Sequence, residues 1–166
     1  MPIEIERKFL VTGDSWREAV VRQETMRQGY LNRVADDGSR ASVRIRVAGD
    51  EAFLNIKSAN TGTTRMEYDY GVPIPDAVEI LDHLCQRPLI EKTRYWIEHG
   101  GFTWEVDVFH GENSGLIVAE IELPDEQTVF EKPGWVGPEV TDERRFYNVA
   151  LCEHPYSKWT TEERKT

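Results

Sequence analysis

The chain has 166 residues, enough for one globular domain that buries a core without disulfide bonds or a structural metal. Its 30 acidic residues outnumber its 20 Lys and Arg residues, and the formal net charge of −10 argues against binding to DNA, RNA or anionic membranes. No apolar run approaches the length of a transmembrane helix, and the opening residues MPIEIERKFLV lack the apolar region of a signal peptide. We therefore expect a cytoplasmic protein in which Cys85 and Cys152 are reduced thiols.

Short segments in which charged and apolar residues alternate recur along the chain. They span residues 3–8, 43–47, 54–57, 66–70, 104–108 and 119–123, with a looser example at 91–96. A period of two is typical of β-strands with one apolar and one charged face. Gly49-Asp50 and Gly100-Gly101 lie between such segments and predict hairpin turns, so we expect a mostly antiparallel sheet.

Other segments predict helices from their caps and apolar spacing. The clearest follows Asp76, which forms a capping-box pattern with Glu79. The remaining predictions are a helix from Asp14 to about Glu24, a short helix capped by Asp125 and a helix from Thr141 through Leu151. We expect a single domain over residues 1–152, followed by a polar tail at 153–166 that frays.

The strand charges come as pairs of one sign, two residues apart, as in Glu4–Glu6 and Arg44–Arg46. Such side chains share one face about 7 Å apart, so they repel unless a counter-ion lies between them. One interpretation is that these are the solvated faces of open antiparallel strands. The other is a sheet closed into a barrel with its charges inside, because the aromatic residues within 66–70 and 104–108 mark the opposite face as buried.

A barrel interior that carries both signs of charge must hold water, cations and a highly charged ligand. Carboxylate pairs supply the oxygen ligands that Mg²⁺ or Mn²⁺ prefers, whereas clustered Arg and Lys suit phosphate oxygens. The residues thus predict a metal–polyphosphate complex, in which the basic groups neutralise charge that develops during phosphoryl transfer. The sequence has no GxxxxGK[ST], HExxH, CxxC or GxSxG motif, so it lacks the common signatures of other hydrolases.

The order of these motifs resembles the CYTH family, the triphosphate tunnel metalloenzymes. Glu4-Ile-Glu6-Arg-Lys8 is similar to the family's N-terminal ExExK signature, and the matching motifs cover residues 3–151. The later motifs are Gln28-Gly-Tyr30-Leu31, Val43-Arg-Ile-Arg46, Lys57-Ser58, Glu67, Glu91-Lys-Thr-Arg94-Tyr95, Glu105-Val-Asp107, Glu120-Ile-Glu122 and Glu139 to Asn148. The resemblance implies an α+β fold, a closed tunnel of eight antiparallel strands with helices packed outside.

The resemblance also implies a role for each matching residue. The metal ligands would be Glu4, Glu6, Glu120 and Glu122, with Asp107 placing a second metal or the attacking water. The triphosphate would be bound by Lys8, Arg44, Arg46, Lys57, Lys92 and Arg94. Tyr30 matches the proton acceptor assigned to small bacterial members, and Lys92 is the rival base, because neighbouring cations lower the pKa of either group. An ordinary barrel aromatic is the alternative for Tyr30.

The activity implied by the resemblance is a hydrolase that uses Mg²⁺ or Mn²⁺ to cleave the terminal phosphoanhydride of a triphosphate. Inorganic tripolyphosphate is the leading substrate, with pyrophosphate and phosphate as products. The alternatives are a class IV adenylate cyclase, a thiamine or nucleoside triphosphatase, and a non-catalytic module that binds polyphosphate. The expected partner is a small-molecule triphosphate rather than nucleic acid or a membrane. A homodimer is compatible with the sequence, which does not decide the oligomeric state or the number of metals.

Overall fold

The computed structural model describes residues 2–33 and 38–166, which form nine β-strands and two α-helices. The strands are β1 Ile3–Val11, β2 Val20–Tyr30, β3 Ala41–Ala48, β4 Glu51–Ser58, β5 Thr64–Gly71, β6 Ile90–His99, β7 Phe102–Phe109, β8 Ile117–Glu122 and β9 Val136–Glu139. The helices are α1 Ile74–His83 and α2 Asn148–Glu153. Short 3₁₀ helices lie at Ser15–Ala19, Gly111–Asn113, Arg144–Phe146 and Tyr156–Lys158.

Eight of the nine described strands close into an antiparallel barrel. The order around it is β1-β5-β4-β3-β2-β6-β7-β8, and β8 returns to β1. One edge of β1 pairs with β8, and the start of its other edge pairs with β5, where Glu4 lies opposite Arg65. Further along that edge β9 pairs with β1, with Phe9 opposite Glu139. The predicted eight-stranded barrel is confirmed, because the closed sheet has an inner face for the charges.

Two glycine-containing turns connect the hairpins β3–β4 and β6–β7. Gly49 joins β3 to β4 with a φ of 59°, and Gly100 and Gly101 join β6 to β7 with φ values of 59° and 81°. These are left-handed conformations that glycine adopts without a steric penalty. Both predicted hairpins are confirmed.

The alternating residues direct the charges inward and the apolar side chains outward. On β3, Arg44 and Arg46 line the interior, whereas Ile45 packs outside against Leu81 of α1. On β7, the outward Trp104 is fully buried in a second cluster. That cluster includes Phe9, Trp16, Ile97, Ile121 and Trp135. The outer layers therefore hold the wall rigid while leaving the interior to polar groups.

The C-terminal segment fills part of the barrel interior with apolar groups. Tyr30, Ile90, Phe109 and Val118, which share the inward parity of their strands, belong to one core cluster with Phe146, Val149 and Leu151 of this segment. α2 also contacts β2 and β6. The charged cavity is therefore bounded by an apolar floor.

The helix predictions are correct for α1 and partly wrong elsewhere. The helix near Asp76 begins two residues earlier, at Ile74, because Pro73 and Pro75 preset the dihedral angles of its start. The predicted helix from Asp14 ends at Ala19 as a 3₁₀ turn, and the β-branched Val20 and Val21 begin β2 instead. The segment after Asp125 lacks a helix among the described residues.

The predicted helix from Thr141 to Leu151 divides into the 3₁₀ helix Arg144–Phe146 and α2. Residues 153–166 do not form the frayed tail that was expected. Trp159 is 6% exposed and packs edge-on against Phe146 and Tyr156. The sequence-level domain boundary at 152 therefore falls within a packed segment, because an aromatic anchor outweighs the polarity of its neighbours.

The outward face of β5 is also a correction. Met66, Tyr68 and Tyr70 are 42%, 36% and 54% exposed, so this face is not the buried one that its aromatic residues suggested. The prediction that these three side chains point away from the interior is correct, since the alternate residues Arg65 and Glu67 line the interior. Across residues 2–33 and 38–166, no helix has the length and apolar character needed to cross a membrane.

Candidate active site

The barrel interior contains one strongly charged cavity, open to solvent. Its lining includes six glutamates and seven Lys or Arg side chains. The acids are Glu4, Glu6, Glu67, Glu105, Glu120 and Glu122, and the bases are Lys8, Arg44, Arg46, Lys57, Arg65, Lys92 and Arg94. Tyr30, Ser42, Asn55, Tyr147, Asn148 and Val149 complete the lining. Every site residue predicted from the sequence lines this cavity except Asp107.

Asp107 lies within the barrel wall and is 1% exposed. Its Oδ1 accepts a hydrogen bond from Arg94 Nε at 2.8 Å, and its Oδ2 accepts from Lys92 Nζ at 2.8 Å and Arg94 Nη2 at 2.9 Å. Burial alone would raise the pKa of Asp107, but Arg94 and Lys92 outweigh burial and lower it to about 2. Since both carboxylate oxygens are engaged, this geometry does not fit the sequence-level role of placing a metal or water.

The carboxylates of β1 are paired with cations from β4 and β5. Lys57 Nζ lies 2.8 Å from one oxygen of Glu4 and 3.7 Å from Glu67. Arg65 Nη2 lies 3.1 Å from Glu6 and 3.9 Å from Glu4. The Glu4–Glu6 pair thus already has positive neighbours from the strands on one side of β1.

Glu120 and Glu6 have opposite electrostatic environments. Burial raises the pKa of Glu120, but Lys8 at 3.3 Å and Arg94 at 3.8 Å outweigh it and hold the pKa well below its usual value. The pKa of Glu6 is raised by burial, by Glu120 and by Glu4, despite Lys57 and Lys8. Burial and the nearby Glu4 and Glu6 also raise the pKa of Glu122. The like-charge repulsion expected among these acids therefore acts on Glu6 and Glu122, whereas Glu120 is stabilised.

The carboxylates of Glu4, Glu6, Glu120 and Glu122 have the donor chemistry that a divalent cation requires. Within the described chain, no three acidic, His or Cys side chains are already arranged as ligands of one ion. Glu6, Glu120 and Glu122 nevertheless line one cavity, and neighbouring carboxylates make Glu6 and Glu122 harder to ionise. A divalent cation would relieve that repulsion and would bind the hard oxygen donors it prefers. The residues present therefore fit a metal.

The opposite wall offers cations that have no carboxylate partner. Among the described residues, neither Arg44 nor Arg46 takes part in an ion pair with an acid, and Arg44 Nε is buried without a hydrogen-bond partner. Arg46 Nε donates to Gln28 Oε1 at 2.8 Å, which orients its guanidinium. Burial and the neighbouring Arg44 and Arg94 lower the pKa of Arg46. This wall is therefore suited to an anion with several oxygens.

Lys92 is fully buried between the cationic wall and Asp107. Its Nζ donates to Asp107 at 2.8 Å and to Asn148 Oδ1 at 3.1 Å. Burial, Arg94 and Arg46 lower the pKa of Lys92 to about 7, even though Asp107 raises it. An ammonium group poised near neutrality can exchange a proton with a ligand in the cavity.

Tyr30 lines the same cavity from β2 and is 5% exposed. It lies opposite Arg44 in the β2–β3 pairing, and it also belongs to the apolar cluster of the C-terminal segment. Its ring thus stands at the boundary between the charged cavity and the apolar floor. Both candidates for the proton acceptor, Tyr30 and Lys92, are in contact with the cavity.

Arg65 and Asn148 are two of the cavity residues that the sequence did not assign to the site. Arg65 shares the inward parity of Glu67, and that parity could have identified it. Asn148 accepts hydrogen bonds from Gln28 Nε2 at 3.1 Å and from Lys92 Nζ at 3.1 Å. Asn148 ends the last of the family-like motifs, but its neighbours in the sequence do not show that it reaches the cavity, because it does so through the docking of α2.

The chain is similar in sequence and in fold to proteins of one family. A family model described as the CYTH domain matches residues 2–147. The chain is 48% identical to an inorganic triphosphatase of Acetivibrio thermocellus, over 94% of this chain and 97% of that protein. It is 36% identical to an inorganic triphosphatase of Nitrosomonas europaea, over 90% of this chain and 96% of that one. A crystal structure of an inorganic triphosphatase has a similar fold, with a TM-score of 0.66 and 33% identity over 92% of this chain and 95% of its own.

Proposed function

Since this chain belongs to the CYTH family, we propose that it hydrolyses the terminal phosphoanhydride of a triphosphate and that inorganic tripolyphosphate is its substrate. The products are pyrophosphate and phosphate. The relatives named inorganic triphosphatase support this assignment, because they match nearly the whole chain.

One observation carries the proposal. Arg44 and Arg46 lie side by side in a cavity and have no acidic partner among the described residues. Buried cations are costly unless an anion neutralises them. A triphosphate supplies successive oxygens to both guanidinium groups, and each group can bind in bidentate fashion. Lys8, Lys57, Lys92 and Arg94 extend the same cationic surface.

CYTH triphosphatases are in general metal-dependent, and we assign Mg²⁺ or Mn²⁺ to the carboxylates Glu4, Glu6, Glu120 and Glu122. Held there, such an ion would neutralise negative charge on phosphoryl oxygens. The chain's own residues do the rest. The arginines fix the triphosphate in the cavity, and Asp107 holds Lys92 and Arg94 in position rather than binding a second metal.

We assign the proton acceptor to Lys92, with Tyr30 as the rival. Lys92 contacts the cavity, and its pKa of about 7 leaves a neutral fraction at physiological pH. The neutral amine can take a proton from the attacking water, after which Asp107 stabilises the ammonium that forms.

The test is steady-state release of phosphate from tripolyphosphate, ATP and thiamine triphosphate, each with Mg²⁺ or Mn²⁺. We expect the highest kcat/KM for tripolyphosphate, with equal amounts of phosphate and pyrophosphate. Glu120→Gln should lower kcat more than tenfold, or about 1.4 kcal/mol of barrier. Glu79→Gln, on the exposed side of α1, is the matched control and should keep the wild-type rate.

The other outcomes identify the alternatives. Pyrophosphate release from ATP without phosphate would indicate adenylate cyclase chemistry. A preference for thiamine triphosphate or ATP would indicate recognition of an organic group at the cavity mouth. Binding of tripolyphosphate without turnover under any metal would indicate a polyphosphate-binding module.

A further inference from the structure

Arg65 depends for its charge pairing on the two carboxylates of β1 that are assigned to the metal, whereas Lys8 pairs with Glu120 at 3.3 Å. Both of its ion pairs within the described residues are to Glu4 and Glu6, at 3.9 Å and 3.1 Å. Lys57 differs, because it also lies 3.7 Å from Glu67. Arg94 differs too, because Asp107 binds it through two hydrogen bonds whatever happens to Glu120. Any ligand that takes the oxygens of Glu4 and Glu6 therefore leaves Arg65 without an acidic partner.

The guanidinium of Arg65 also has unused capacity to bind an anion. Its Nε is buried and has no hydrogen-bond acceptor among the described residues. The group lies in the cavity lining, 5.1 Å from the centre of the Tyr147 ring. A guanidinium carries five N–H donors in a rigid plane, so it can bind a phosphate oxygen as readily as a carboxylate.

From these contacts we propose that Arg65 exchanges partners during binding. In the metal-free protein it is the internal counter-ion of Glu4 and Glu6. When a divalent cation takes those carboxylates, Arg65 is released to the triphosphate and binds its oxygens. The inference rests on the proposed function for the identity of the anion.

Partner exchange has a thermodynamic consequence. A metal that binds alone must break the Arg65 ion pair and leave a cation without a partner in a poorly solvated wall, which costs free energy. A triphosphate that binds alone must compete with Glu4 and Glu6 for the same guanidinium. Either ligand removes the cost paid by the other, so the two bind cooperatively.

The test is Arg65→Gln, examined in two titrations in which no turnover occurs. In the first, MnCl₂ is titrated calorimetrically into protein without any phosphate compound. The variant should bind Mn²⁺ about threefold to tenfold more tightly than wild type, because the competing cation is gone. In the second, tripolyphosphate is titrated into protein in EDTA. Here the variant should bind about tenfold more weakly, because the phosphate oxygens lose a guanidinium for which they could compete, and Glu4 and Glu6 lose the counter-ion that shields their charge from the triphosphate.

Tighter binding of Mn²⁺ together with weaker binding of tripolyphosphate would show that Arg65 exchanges partners. A merely structural role for Arg65 would weaken both titrations, and that result, or an unchanged Mn²⁺ affinity, would overturn the proposal. Arg27→Gln is the matched control, since Arg27 is on the outer face and 3.6 Å from Asp82, and it should change neither affinity. If Arg65→Gln shows no cooperative melting transition, Arg65→Met, which also removes the positive charge, replaces it, with the same signs expected and the same overturning results.

Failure of the proposed function would look different. A wild-type protein that does not hydrolyse tripolyphosphate in the presence of Mg²⁺ would contradict that function and leave both titrations intact. An active wild type whose Arg65→Gln variant lacks the opposite shifts would contradict the exchange alone.

Discussion

Asp107 and Lys92 form an ion pair inside the barrel wall, with 2.8 Å between Oδ2 and Nζ. Asp107 also accepts two hydrogen bonds from Arg94. One buried carboxylate therefore sets the positions of two cations that contact the cavity. In the sequence, Asp107 follows Glu105 on the same face of β7 and is indistinguishable from a metal ligand.

We expect Asp107→Asn to destabilise the protein strongly. The substitution leaves Lys92 and Arg94 as buried cations without their main counter-ion, which typically costs about 3–5 kcal/mol. Urea unfolding of the metal-free protein measures the loss. Asp82→Asn is the control, because the ion pair between Asp82 and Arg27 is exposed and worth less than about 1 kcal/mol. Equal losses in the two variants would show that the Asp107 network does not stabilise the fold.

The contribution of Asp107 should depend on pH with a definite sign. Its pKa is lowered from 3.8 in the unfolded chain to about 2 in the fold, so the folded state favours the ionised form. The stability that it contributes is fully present above about pH 4 and is lost as the pH falls through 2. The difference in unfolding free energy between wild type and Asp107→Asn should therefore shrink as the pH falls from 4 to 2. It should also shrink as the pH rises toward 7, because Lys92 without Asp107 loses its proton more readily and is then no longer an unpaired buried cation. A difference that stays constant between pH 4 and 2 would assign the effect to another group.

Glu6→Gln and Glu120→Gln should shift the melting temperature of the metal-free protein in opposite directions. The pKa of Glu6 is raised by burial, Glu120 and Glu4, so its charge is unfavourable at pH 7 and glutamine should raise Tm. The pKa of Glu120 is held low by Lys8 and Arg94, so glutamine there should lower Tm. Differential scanning calorimetry in EDTA measures both shifts, which should amount to several degrees. Two shifts of the same sign would disprove this division between the carboxylates.

Arg44→Lys should weaken the binding of tripolyphosphate while preserving the charge. Lysine cannot reproduce the planar pair of donors, so the loss should be about 1–3 kcal/mol. Isothermal titration of tripolyphosphate into metal-free protein measures it. The control Arg27→Lys, on the outside of β2, should bind as wild type does. An Arg44→Lys variant with unaltered affinity would mean that Arg44 acts as a simple point charge.

Lys92→Met should remove the proton acceptor. We expect kcat for tripolyphosphate to fall by roughly 10²–10⁴, the usual contribution of general acid–base catalysis. In wild type, kcat should rise with pH through about 7, where Lys92 loses its proton, and then level off. This rise of kcat with pH should be absent in Lys92→Met. Tyr30→Phe should retain the rise of kcat with pH. If Tyr30→Phe loses this rise and Lys92→Met keeps it, Tyr30 is the proton acceptor.

The barrel and most of its lining could be predicted because strand parity is a local property. Each inward charge alternates with an outward apolar residue, as Arg44 and Arg46 do with Ile45, so the facing of a strand follows from its own residues. Where local preference and tertiary pairing conflict, the prediction failed. Residues 20–24 carry helical spacing, yet they belong to β2 and pair with its neighbouring strand β6.

Alternation in the sequence thus determined the closed sheet and the identities of the charged groups inside it. The tertiary structure alone decided which of those groups neutralise one another. Asp107 is bound to Lys92 and Arg94, and Arg65 is bound to Glu4 and Glu6, because strand register places them within reach. Electrostatic interaction depends on distance and solvent exclusion. Neither quantity can be read from spacing along the chain when the partners lie on different strands.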